Sequence, residues 1–507
     1  MWYNTIIILR KGAENLSVIE IKNLTFAYDG SYDNVFENAC FRIDTEWKLG
    51  FIGRNGRGKT TMLNLLMGKY EYRGQIISDV DFMYFPYIVE NMNINTAQLA
   101  CELEPEMEFW QFQKELSLLG VSDDVLERDF STLSGGERLK VMLALLFSRE
   151  GRFLLIDEPT NHLDADGRKK VARYLNSKKG FILVSHDRDF VDECVDHILS
   201  INKANIEVQS GNFSSWFHNK EMQDNYEIAK NESLKKSIRQ LEAASERTAG
   251  WSDALEKTKR GTRNSGLRPD RGFIGHKAEK MMQRSKNLQR RQEKAIEEKS
   301  ALLKNIEQAD ELKIHPLKFH SDTLVYARDL SINYDENIVC KGIELDIRRG
   351  DKIALCGKNG CGKTSLLKLI LGENIGFKGT FHKGNGLKIS YLSQYSDSLS
   401  GNLKDYAAAN GIDESLFKAI LRKLDLTREQ REKNIENMSE GQKKKVMIAH
   451  SLCESAHLYV WDEPLNYIDV FSRMQIEELI KNNDITMIFV EHDSAFVRSA
   501  ANKIIEM

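Results

Sequence analysis

The sequence predicts an α/β fold made of two tandem copies of one domain, joined by an antiparallel two-helix coiled-coil linker. Three observations predict it. A glycine-rich loop occurs twice, an acidic strand end occurs twice, and the stretch over 217–320 between the copies is polar and almost free of proline until Pro316. The expected organisation is an extension over 1–16, a first domain over 17–216, the helical linker over 217–320 and a second domain over 321–507.

Bulk composition narrows the field first. The chain has 507 residues, of which 41% are hydrophobic, enough for two or three domains with sizeable cores. Its net charge of −3 rules out a whole-chain charge argument for nucleic acid, so any such argument must be local. Seven cysteines, an odd number with no CxxC pair, fit a reducing cytoplasm better than a disulfide framework or a zinc site. The longest apolar run near the start, "TIIIL", is far short of the ~20 residues that span a bilayer. The extension precedes the first expected strand, "VIEIKNLTFAY". Codons for "RKGAENL" can spell a purine-rich ribosome-binding sequence, which makes Leu16 the expected natural first residue.

The loop "GRNGRGKT" (Gly53, Arg54, Asn55, Gly56, Arg57, Gly58, Lys59, Thr60) recurs as "GKNGCGKT" (Gly357, Lys358, Asn359, Gly360, Cys361, Gly362, Lys363, Thr364). Each follows an apolar strand-like run and precedes a helix-like run that starts at Thr61 or Ser365. In that setting glycines let backbone N–H groups face phosphates, and the helix N-terminus adds a positive dipole end. Lys59 and Lys363 then reach the β- and γ-phosphates of ATP, and Thr60 and Thr364 hold Mg²⁺.

"FLLIDEPTNHLD" recurs as "LYVWDEPLNYID". The apolar run puts Asp157 and Asp462 at a strand's end, suited to the outer shell of Mg²⁺. Glu158 and Glu463 then suit a base that polarises the attacking water. "LSGGE" (Ser134, Gly135, Gly136) recurs as "MSEGQ" (Ser439, Glu440, Gly441), each opening a helix and making a second anion site. His186 and His492, after "VS" and "VE", read as γ-phosphate sensors. From Lys59 to Ser134 is 75 residues and from Lys363 to Ser439 is 76, while Ser to Glu is 24 in both copies. The copies are co-linear, with no large insertion in either.

These motifs in this order resemble an ATP-binding cassette. Two cassettes without a membrane span resemble the ABC-F subfamily, which implies a monomer whose cassettes form a head-to-tail sandwich. ATP on Lys59 would be closed by Ser439, and ATP on Lys363 by Ser134. Tyr28 and Tyr334 stand where cassettes stack adenine on an aromatic. The family's glutamine loop supplies a Mg²⁺-touching Gln. The second copy has it at Gln394, but the first places Tyr87 there, which puts metal geometry and turnover at the Lys59 site in doubt.

In the linker, Met281, Leu288, Ala295 and Leu302 recur every seven residues as a coiled-coil seam, and an earlier arm carries Met222, Tyr226, Leu234, Ile238 and Leu241. Residues 251–290 hold eleven Lys/Arg against four acids, a local net of +7. Such a run is ordinarily a solvated spacer. Its cations interleave with Trp251 and Phe273, which suits phosphate contact and base stacking on RNA. The residues expected to meet ribosomal RNA are Arg260, Arg263, Arg268, Arg271 and Phe273. The run from Arg247 to Lys286 resembles the extended linker of Lsa-type ABC-F antibiotic-resistance proteins. That resemblance implies a cytoplasmic ATPase that binds the ribosome, touching ribosomal RNA and tRNA and neither membrane nor DNA. It implies displacement of peptidyl-transferase-centre drugs of the lincosamide, streptogramin A and pleuromutilin classes by the linker tip, with hydrolysis driving release. Two alternatives remain: a housekeeping ABC-F translation factor, and the ATPase subunit of an exporter whose membrane domains lie on another chain.

Overall fold

The computed structural model describes residues 18–30, 33–149, 151–161, 163–202, 205–258, 271–301, 312–334, 337–396 and 399–507. They fall into two compact units. One holds both cassettes, and the other holds 215–308 with the short stretch 202–205.

Each cassette pairs a small antiparallel sheet with a larger, mostly parallel one. In the first, strand Val18–Phe26 lies between Phe36–Asp44 and Arg73–Ile77. Its parallel sheet runs Asp81–Phe85, Arg152–Asp157, Phe181–Val184, Lys48–Gly53, His197–Ile201, and ends on antiparallel Ile206–Ser210. The second cassette repeats the order with Ile389–Leu392, Leu458–Asp462, Met487–Val490, Lys352–Cys356 and Lys503–Glu506. Strands such as "FILV" and "MIFV" are buried at every position, as a parallel sheet covered on both faces requires.

The core explains where the loops sit. The phosphate-loop helix Lys59–Leu66 is wedged between the two sheets, with Met62, Leu63 and Leu66 packed on Ile21, Leu155 and Ile182. Lys363–Leu371 does the same through Leu366, Leu367 and Ile370 against Val325, Val460 and Ile488. Each glycine-rich loop is thereby fixed at the C-terminal edge of a central strand. Gly58 and Gly362 precede these helices with φ of 92° and 100°. A side chain on Gly58 would meet the Phe36 ring at 2.8 Å, so neither the backbone angle nor the space admits one.

The other unit contains helices Phe213–Thr258 and Arg271–Ala301. The first, with 46 residues, is roughly 70 Å long and begins ahead of the boundary expected at 216/217. Met281, Leu288 and Ala295 are half-buried, whereas Ser285, Asn231 and Ile238 are buried. Gln292 Nε2 donates to Glu242 Oε1 of the other helix at 3.0 Å. The seam thus mixes polar and apolar residues. Met222 and Tyr226, read from helical spacing as apolar positions of the earlier arm, are 56% and 66% exposed. Arg260, Arg263, Arg268 and Leu302 lie outside the described residues. Arg271 and Phe273 fall within the second helix and Trp251 within the first, with their side chains outside the description.

Candidate functional site: two composite nucleotide sites

Both phosphate-loop lysines fold back over their own loops. Lys59 Nζ donates to the carbonyls of Gly53 at 2.6 Å and Arg54 at 3.2 Å, and Lys363 Nζ to those of Gly357 at 2.8 Å and Lys358 at 2.9 Å. Cys361 tucks beneath its loop, with Sγ 3.9 Å from Lys363 Nζ. Tyr28 and Tyr334 are 44% and 43% exposed beside their loops, and the Tyr28 hydroxyl shares a 2.7 Å hydrogen bond with Thr61. The Tyr28 ring packs edge-on against Phe26 and Tyr70.

The cassettes meet head to tail. Ser134, Gly135 and Gly136 of the first face Lys358, Gly360, Lys363 and Thr364 of the second across a cavity of about 720 Å³, which Gln394, Glu463 and His492 also line. On the other side, Asn55 of the first loop donates to the Tyr467 carbonyl at 2.8 Å, and Arg54 lies 3.5 Å from Asp425. Gly441 sits so close to Tyr467 and Asn55 that a Cβ there would clash with both. Ser134 and Ser439 cap their helices through capping boxes with Glu137 and Gln442. Against the cost of partial burial, Ser134 and Arg128 hold the Glu137 carboxyl below its ordinary range.

The Glu440 side chain accepts from Ser396 at 2.7 Å and Lys443 at 2.9 Å. These donors keep its carboxyl low, so it is charged. Glu440, expected among the ATP-contacting residues, thus has its side chain engaged within its own cassette.

Glu158 and Glu463 share an unusual backbone, with φ of 51° and 46°. A non-glycine residue in this region costs of order 1–3 kcal/mol and persists only where its surroundings impose it. The strain aims each carboxylate at a histidine: Glu158 Oε1 is 3.4 Å from His186 Nε2, and Glu463 Oε1 is 3.8 Å from His492 Nε2. Burial, then the nearby Lys59, pushes His186 well below the ordinary histidine range, and burial with Lys363 brings His492 down to about 4. Both are neutral at pH 7. Burial, then Asp157, pushes Glu158 up to about 8.

On the metal-facing side the sites differ. Strand register aligns Phe85 with Ile156 just before Asp157, and Leu392 with Trp461 just before Asp462, so Tyr87 and Gln394 occupy equivalent positions. Gln394 Nε2 donates to Glu463 Oε2 at 2.9 Å, and Asn466 donates to the same oxygen at 2.6 Å. The buried Lys444 ammonium holds the glutamine loop from below, donating to the carbonyls of Ser393 at 2.9 Å and Gln394 at 3.2 Å. Both Asp462 carboxylate oxygens are buried without a hydrogen-bond partner, the arrangement a cation's hydration shell would satisfy. Tyr87 instead donates to Glu104 at 3.1 Å, away from Glu158, and Leu139 stands where the second copy has Lys444. Asp157 Oδ2 accepts from Thr60 at 3.1 Å and from Tyr84 at 3.0 Å.

Sequence reading missed a layer of buried charge. Asp469 pairs with Lys445 at 2.8 Å, Arg473 with Asp493 at 3.1 Å, and Arg168 with Asp187 at 2.7 Å. Asp469 and Arg473 belong to the second cassette yet bear on Lys59 and Glu158 of the first; Arg168 of the first lines the Lys363 cavity. The repeat carried the signal, since Asp164/Arg168 and Asp469/Arg473 recur at the same offsets from Glu158 and Glu463.

The family described as ABC transporter matches residues 36–161 and 340–466, once per cassette. The ATP-binding protein Uup of Buchnera aphidicola is 28% identical over 96% of this chain and 80% of its own. The ribosome protection protein VmlR of Bacillus subtilis is 28% identical over 95% and 86%. This chain is an ABC-F ATP-binding-cassette ATPase. The fold of an archaeal ribosome recycling factor, aABCE1, superposes with a TM-score of 0.62 at 18% identity, covering 96% of this chain and 87% of that one. The tandem cassettes of this ABC-F chain thus recur in a distant fold relative. No helix among its described residues is long and apolar enough to cross a membrane.

Proposed function

We propose that this ABC-F ATPase binds the ribosome in its ATP-bound, closed form and displaces peptidyl-transferase-centre antibiotics with its linker tip. Hydrolysis then drives release. The observation that carries this reading is the pairing of a head-to-tail cassette sandwich with a +7 segment between its halves. Similarity to VmlR, named a ribosome protection protein, supports it.

ATP would rest on loop N–H groups with Lys59 or Lys363 at its outer phosphates, closed by Ser439 or Ser134 of the opposite cassette. Thr364, Gln394 and Asp462 suit Mg²⁺ at the second site, whereas the first presents only Thr60 and an Asp157 that already accepts from two hydroxyls. Magnesium, when bound, neutralises charge that develops on the transferring phosphoryl group. Glu158 and Glu463 polarise the attacking water, and neutral His186 and His492 beside them sense the γ-phosphate. Arg260, Arg263, Arg268 and Arg271 neutralise RNA phosphates, which makes binding salt-dependent. Phe273 stacks or intrudes near the drug site, a contact worth about 1–3 kcal/mol.

The test has two arms. A chain carrying Glu158→Gln and Glu463→Gln should keep ATP, hydrolyse it about 10²–10⁴-fold more slowly and co-sediment with ribosomes. Phe273→Ala should change which drug classes are resisted while ATPase activity and ribosome binding persist. Full resistance to every drug class from a chain lacking 261–272 would sink the drug-displacement reading. Ribosome binding with unchanged drug susceptibility on gene deletion would leave the housekeeping factor.

A further inference from the structure

The two sites face a cation with different groups. At the Lys363 site, Asp462 offers two buried, unpartnered oxygens. The Gln394 amide gives its nitrogen to Glu463 and leaves its carbonyl oxygen for a cation, while Lys444 fixes the loop that carries it. At the Lys59 site, two of the roughly four lone-pair positions of the Asp157 carboxylate are taken by hydroxyl donors. The Thr60 donor belongs to the phosphate-loop design. The Tyr84 donor is an addition, and its position is secured: the ring lies under Lys69, whose Nζ is 5.3 Å from the centroid. The equivalent Tyr391 of the second copy lies one residue before Leu392 in the same register, yet Asp462 is unpartnered. The glutamine carbonyl is missing too, because Tyr87 is bonded to Glu104. Phosphate contact is untouched, since loop N–H groups, the helix N-terminus and Lys59 supply it.

We propose that Tyr84 is a positioning residue that withholds Asp157 from a divalent cation, so that the Lys59 site keeps ATP without a tightly held metal while the Lys363 site takes one. The inference rests on the two-site reading above.

The experiment uses the full chain with Glu158→Gln and Glu463→Gln, saturated with ATP, and counts bound nucleotide by chromatography and bound Mn²⁺ by electron paramagnetic resonance. Manganese serves as the spectroscopic substitute for magnesium. Expected are two ATP and one tight Mn²⁺ per chain. Asp462→Asn in that background should lose the tight Mn²⁺, and Asp157→Asn should keep it. Tyr84→Phe, which removes only a hydroxyl, combined with Tyr87→Gln should raise the count to two. Two ATP with two equivalent Mn²⁺ would overturn the inference and leave the proposed function standing, as would a metal lost on Asp157→Asn. Failure of the Tyr84→Phe/Tyr87→Gln chain to gain a metal would overturn the role of Tyr84. Fewer than two ATP per chain would defeat the two-site reading itself.

Discussion

At the Lys363 site, Glu463 is held by Gln394 and Asn466 above an unpartnered Asp462. At the Lys59 site, no side-chain amide donates to the Glu158 carboxylate among the described residues, and Asp157 accepts from Thr60 and Tyr84. Yet the strained backbone of the two glutamates is nearly identical, as are the lysine contacts within the phosphate loops. The two copies agree in their phosphate loops and differ in the side chains around the acidic strand end. A phosphate loop presents mostly backbone, fixed by fold, whereas a cation would be met by side chains that a single substitution can redirect. The changes are also concerted: with Gln394 comes Lys444 to hold its loop, and with Tyr87 comes Leu139 in the lysine's place. An ammonium buried under a loop that needed no anchoring would cost desolvation without return.

The same comparison extends to the cross-cassette acids, and stability measurements can break it. Asp469 is fully buried on Lys445 and also caps its helix through Ser472. Although burial opposes it, Lys445 holds the Asp469 carboxyl far below its ordinary range. Its counterpart Asp164 caps a helix through Gly167 and is only partly buried. Asp469→Ala therefore strands a buried ammonium and should cost about 3–5 kcal/mol, against about 1 kcal/mol for losing a cap in Asp164→Ala. Denaturant unfolding of the two variants checks this, and equal losses would erase the distinction.

A smaller effect sharpens the account of Glu158. Burial and Asp157 raise its carboxyl from 4.5 to about 8, so the folded chain holds a proton that the unfolded chain has released over that range. Its contribution to stability falls as pH rises through the window, because the native state binds more protons. Glu158→Gln cannot titrate. Without nucleotide, its Tm relative to wild type should climb between about pH 5 and pH 8. A constant difference would mean that Glu158 is ionised throughout.

Motif and spacing made the α/β cassettes legible, along with the phosphate loops, both glutamates and the mismatch of Tyr87 with Gln394. They could not show Tyr84 on Asp157, because a tyrosine within "DFMYF" reads as an ordinary strand residue until register places it beneath the carboxylate. The direction of the Glu440 side chain was hidden for a related reason. Its position in the helix-opening motif was readable, but its side chain is aimed by Ser396, which lies 44 residues away in sequence. The seam of the helical unit was legible only in part. A seven-residue period marks a face, while the burial of Asn231 and Ser285 depends on what stands opposite. Asp469 with Lys445 escaped because a buried pair looks like any two charges when partners come from separate helices.

Steady-state hydrolysis by the two single variants tests the central claim, that the two sites are chemically unlike, most directly. If the Lys363 site carries most turnover, Glu463→Gln should slow ATP hydrolysis by about 10²-fold or more, as loss of a general base does, while Glu158→Gln costs only a few-fold. Equal losses from the two variants, or a larger loss from Glu158→Gln, would contradict it.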